Sequence, residues 1–105
     1  MSSLPRLDSA GLREVISGER ALFHSLLTHY TAPSERCLGV MEKASDDTVW
    51  HKAAHEWAGA SVTMRLLHLA ELCRRAEYHP ICMDIVQSLR QEYEAAKAEL
   101  EAFTP

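Results

Sequence analysis

The chain has 105 residues, 47% hydrophobic and 25% charged, with a formal net charge of −4, which is room for one core and a single domain over residues 1–105. Its basic residues are scattered rather than striped, which excludes a nucleic-acid footprint, and no apolar run approaches the roughly 18 residues of a membrane span. MSSLPRLDSAGL lacks the apolar centre of a signal peptide, and Cys37, Cys73 and Cys82, an odd count without C-x-x-C, fit reduced and mostly buried thiols in a cytoplasmic protein.

Strand signals are nearly absent and helical periodicity is strong, so an all-α domain is expected. The first helix should follow Asp8, whose carboxylate can cap the free amides of SAGLREVIS. Leu12, Val15 and Ile16 form its apolar stripe, and Gly18 is its stop. A longer segment is expected from about residue 19 to 43, with Leu22, Phe23, Leu26, Leu27 and Tyr30 inward, and then Cys37, Leu38 and Met41. Pro33 removes one backbone donor inside it, which predicts a kink or short break. The run SDD at 45–47 supplies caps and negative charge for a third helix, from about 47 to 60.

A fourth helix is expected from about 64 to 77, with Leu66, Leu69, Leu72 and Cys73 inward, and it is broken at YHP because Pro80 disfavours helix at His79. The last, about 81 to 103, places Ile85, Leu89, Tyr93, Ala96, Leu100 and Phe103 on one face. Glu92, Glu94, Lys97, Glu99 and Glu101 lie on the other, an acidic solvated face rather than a membrane binder. Short connections favour antiparallel neighbours, hence an up-down helical bundle.

The segment HKAAHEWAGASVTMRLLHLAELCRRAE (51–77) carries the chemistry. At about 100° per residue from His55, Trp57 falls near 200°, with Ala54 and Trp50 about 100° and 140° away on the other side. These residues define a buried face opposite His55. His51 (about −40°) and Ala58 (about −60°) then flank the histidine on one side, and Lys52 (about +60°) and Gly59 (about +40°) on the other. Gly inside a helix costs about 1 kcal/mol relative to Ala and needs a reason. Gly59 either clears space for the imidazole, begins the end of the helix, or lets another helix approach. His51 and His55 one turn apart could also clamp a metal, but HKAAH lacks the Glu of H-E-x-x-H and no third ligand stands out, so no metal and no cofactor is expected. His24, His29 and His68 read as surface or edge residues, Trp50 and Trp57 as core, and Glu77 as either a site neighbour or a plain surface carboxylate.

Ala54, His55, Trp57, Gly59, Ala60 and Ser61, followed in register by Leu69, Leu72, Cys73 and Glu77, resemble the histidine-phosphotransfer (HPt) domain of two-component phosphorelays. The flanks are more loosely similar to that family's short first helix and long second helix, Pro included. The resemblance implies an antiparallel four-helix bundle with an additional short N-terminal helix. It also implies that His55 is a phosphoacceptor, exchanging a phosphoryl group with the aspartate of a response-regulator receiver domain whose own Mg²⁺ assists. A receiver or a hybrid histidine kinase is the implied partner of a cytoplasmic monomer. With no ATP-binding segment, such a chain is a carrier rather than a kinase.

Two departures stand out: the family usually has Lys three residues after the histidine, where this chain has Ala58, and commonly Gly at ten, where it has Arg65. The substitution hypothesis is that His51, Lys52 or Arg65 supplies the missing cation. The alternative function is a phosphorylation-independent module that docks a receiver or kinase.

Overall fold

The structure is a computed structural model describing residues 4–105. It contains five helices: α1 (Ser9–Ile16), α2 (Arg20–Lys43), α3 (Asp47–Thr63), α4 (Leu67–Glu77) and α5 (Met83–Ala102). No strand occurs among the described residues, and no helix there is long and apolar enough to cross a membrane.

Local chemistry sets the helix starts as the sequence suggests. The Asp8 side chain accepts from the Gly11 amide at 3.0 Å, and that of Asp46 from the Thr48 amide at 2.6 Å, each satisfying an otherwise orphaned donor. α1 closes through Ser17 and Gly18, both left-handed at φ 52° and 72°. α2 runs unbroken through Pro33. The proline removes only one backbone donor, and Tyr30, Ser34, Cys37 and Leu38 on either side of it are all buried, so packing carries the helix across the defect.

The third helix extends to Thr63, beyond the expected end near 60, and α4 starts at Leu67 rather than near 64. Arg65 makes this corner, at φ +60°. A left-handed conformation costs a side-chain-bearing residue about 1–2 kcal/mol. The Arg65 Nε is also buried without a hydrogen-bond partner. Arg65→Gly is therefore expected to raise stability by about 1 kcal/mol, net of the entropy glycine loses on folding. Urea unfolding checks this, and an unchanged or lowered midpoint at constant m-value would refute it.

One cluster of buried side chains forms the core, with Trp50 and Trp57 fully enclosed. Helix α3 packs most extensively against α4 and next against α2; α5 contacts both α2 and α4, and α1 rests on α2. The expected stripes hold with two exceptions: Val15 and Leu22 are 40% and 38% exposed, because short α1 and the start of α2 are covered on fewer sides. Glu92, expected in solvent, is buried. Arg6 reaches it from 86 residues away, with Nε 2.8 Å from its Oε2 and Nη1 3.1 Å from Glu99 Oε2. Cys37 and Cys73 are buried and Cys82 is half-buried. Loss of hydration pushes the Cys37 and Cys73 thiols up, so both are held as inert core thiols.

Candidate functional site

α3 turns its outward face between α2 and α4, and the two sides of that face differ. Toward α2, Lys52 and Glu56 border a shallow groove with Arg36, Val40 and Val49. Toward α4 the face is cut short. Ala58 is buried at 5% exposure, not an exposed flank of His55 as the helical angle suggested. An angle of about −60° lies outward on an isolated helix, but it falls on the side of α3 where His51 bonds the end of α4, a packed side rather than an open one. Ala58 therefore offers no group to the site.

His55 stands clear, its side chain 72% exposed. Below it lies Glu77, the last residue of α4, with a side chain only 5% exposed. Of the two sequence readings of Glu77, the exposed surface carboxylate does not hold: the side chain is buried beside His55. Its Oε2 is 3.0 Å from His55 Nδ1 and 3.4 Å from His51 Nε2. A buried carboxylate is costly unless paired, and these two imidazoles are its partners. A carboxylate only accepts, so His55 Nδ1 carries the ring proton and donates it to Glu77. The neutral ring then keeps its lone pair on Nε2.

Side chains of α3 hold the end of α4 in place. The carbonyls of a helix's last turn lack intrahelical donors. The Trp50 indole donates from Nε1 to the Ala76 carbonyl at 2.7 Å, and His51 donates from Nδ1 to the Glu77 carbonyl at 3.0 Å. The His51 and His55 rings are nearly parallel, 8° apart in plane and 6.3 Å between centroids. Tyr78 sets its edge against His51 at 5.8 Å and is itself 81% exposed. Sequence reasoning passed over Tyr78; its only signal was an aromatic in a turn segment directly after the Glu77 that closes the motif.

Lys52 lies on the exposed face toward α2. Arg65 does not join the site. It follows the end of α3, which at Thr63 is already eight residues and roughly 12 Å along the axis from His55, and its Nε is 3.4 Å from where a Cβ on Gly11 would stand. Its left-handed φ gives a physical reason why glycine suits this corner. Gly59 is interior to α3, four residues before its end, so it does not terminate the helix. A Cβ built on it would meet nothing within 4 Å, so neither a neighbouring helix nor the His55 ring needs the glycine in the isolated chain. The surface above it is open.

His24 and His29 are exposed, and His68 is half-buried with Nε2 4.0 Å from Glu92 Oε1. Among the described residues, no three His, Cys, Asp or Glu side chains are arranged to hold a metal ion. Comparison with protein-family models, with curated proteins and with solved structures gives no match to this chain.

Proposed function

We propose that this chain is a phosphorelay carrier that accepts a phosphoryl group on His55 and passes it on, exchanging it with the aspartate of a response-regulator receiver domain. One observation supports this reading above the others: an imidazole 72% exposed on a helix, with its Nδ1 3.0 Å from a buried carboxylate. That pairing leaves Nε2 as the nucleophile, on a ring exposed enough for a partner to meet it.

In the proposed step the Nε2 lone pair attacks phosphorus in line with the aspartyl oxygen. The N–P bond forms, the P–O bond breaks, and the aspartate leaves with the electron pair. The ring keeps its Nδ1 proton and so becomes positively charged. Glu77, 3.0 Å from that nitrogen, offsets the charge as it develops, much as a buried carboxylate serves an imidazole elsewhere. No pocket is needed, because the receiver and its own Mg²⁺ enclose the phosphoryl group. Open space over Gly59 suits that approach.

The bundle is read as an antiparallel four-helix arrangement of α2 to α5 with α1 added. The packing of α3 on α2 and α4, and of α5 on α2 and α4, supports this. The carrier is read as cytoplasmic and monomeric, docking a receiver or a hybrid histidine kinase through the face around His55 and the adjoining part of α2. Lys52 and His51 remain the candidates for the cation that Ala58 does not supply, Lys52 from the α2 side and His51 from the α4 side.

The test is transfer of labelled phosphate from a panel of phosphorylated receiver domains, with His55→Gln in parallel. Acid-labile labelling of the wild type that is abolished in the variant is the expected result. One feature favours a second reading, a docking module that passes no phosphate: Ala58 stands where the family usually has Lys. Receiver binding without any labelling would select that module and overturn the carrier.

A further inference from the structure

His51 sits beside the acceptor without being the acceptor, and its bonds say what it is placed to do. Its Nδ1 lies 3.0 Å from the Glu77 carbonyl oxygen. A carbonyl only accepts, so this nitrogen carries a proton and donates it. The carbonyl belongs to the final residue of α4, where a helix has no donor of its own to offer. The Tyr78 edge at 5.8 Å braces the ring from the same side. The His51 side chain is half in solvent, 51% exposed, so core packing does not demand an imidazole here. Its Nε2 is 3.4 Å from Glu77 Oε2, farther than the 3.0 Å of His55 Nδ1, so His55 keeps the shorter bond to the shared oxygen.

We infer that His51 is a positioning residue: by donating Nδ1–H to the Glu77 carbonyl it fixes the end of α4, so that the Glu77 carboxylate stays under His55 and holds its proton on Nδ1. The inference rests on the reading of His55 as the acceptor. The groups facing His51 are Glu77 and Tyr78 from the end of α4 and His55 from its own helix. None of them can make the same bond in its place: the Glu77 carboxylate only accepts, and neither aromatic ring is bonded to the Glu77 carbonyl.

Asn and Gln separate this role from mere space-filling. The amide of Asn reaches the position of an imidazole Nδ1, whereas that of Gln reaches the position of Nε2. His51→Asn should keep the bond to the carbonyl, and His51→Gln should lose it. The ring protons are read by nitrogen NMR on histidine-labelled protein, at a pH where His55 is neutral. Wild type and His51→Asn are expected to hold the His55 proton on Nδ1. His51→Gln should shift a measurable share to Nε2, and transfer from a phosphorylated receiver should slow on the order of tenfold, as small misplacements of a reacting group do. Identical His55 tautomers in the Asn and Gln variants, or a wild-type proton on Nε2, would overturn the inference. The tautomer is read without any phosphate, so a wild type that transfers nothing would defeat the carrier reading while leaving this one to be decided by the spectra.

Discussion

Glu77→Gln is expected to slow phosphoryl uptake by His55 about 10²- to 10³-fold, the cost of removing one preorganised group aimed at developing charge. The fold should survive the change. A glutamine with its oxygen at the place of Oε2 can still accept from His55 Nδ1, so the shorter of the two contacts stays hydrogen-bonded. The variant thus keeps the tautomer and loses the charge. Glu77→Ala loses both, and leaves His55 Nδ1 without the acceptor it now meets at 3.0 Å. The alanine variant should accordingly be slower still. Single-turnover transfer from one phosphorylated receiver, run on both variants under the same conditions, gives the two rates. Equal rates for wild type and Glu77→Gln would show that the carboxylate's charge plays no part in transfer. Its buried position would then have to be explained by stability alone.

The sequence makes part of this site legible, and the boundary follows the range of the forces involved. His55 opposite Trp50 and Trp57 is visible because all three ride on one helix, and the helical period alone sets their relative directions. The caps at Asp8 and Asp46 are visible for the same reason, since each acts within three residues. The burial of Glu77 is a different kind of fact. It needs α4 to end beside the middle of α3, 22 residues away in the chain, and no local pattern encodes that.

Ala58 shows the same limit from the other side. Its helical angle is read correctly, but whether an angle of about −60° meets water depends on the neighbour that fills it. Glu92 has a helical angle that reads as solvent, yet Arg6, from the opposite end of the chain, covers it. Arg65 is a candidate from sequence because it could supply the cation that Ala58 lacks, and it also stands where the family commonly has Gly. The departure instead marks a backbone position, at φ +60°, where a residue type is chosen for conformation and not for what its side chain touches. Pattern resemblance locates such a position without saying which of these two reasons applies.

The largest expected effect on stability is at Trp50, and comparison with Trp57 makes it a test of one hydrogen bond. Both indoles are fully buried, so replacing either by alanine should cost about 3–5 kcal/mol, a large share of the roughly 5–15 kcal/mol that holds a domain together. Their ring nitrogens differ. Trp50 Nε1 donates to the Ala76 carbonyl at 2.7 Å, whereas Trp57 Nε1 makes no well-formed hydrogen bond and has only a weaker approach to the Tyr30 hydroxyl. Phenylalanine removes a similar volume at each position, but at Trp50 it also removes a well-formed bond, and at Trp57 it removes a poorly satisfied donor that costs free energy to bury. Trp50→Phe should therefore be the more destabilising of the two by about 1–2 kcal/mol, read from urea midpoints at constant m-value. It should also loosen the end of α4 that carries Glu77, so the His55 ring proton is expected to leave Nδ1 more readily in Trp50→Phe than in Trp57→Phe. Equal midpoints for the two variants would mean that the indole bond to Ala76 contributes nothing net. The anchoring of Glu77 would then fall to His51 alone.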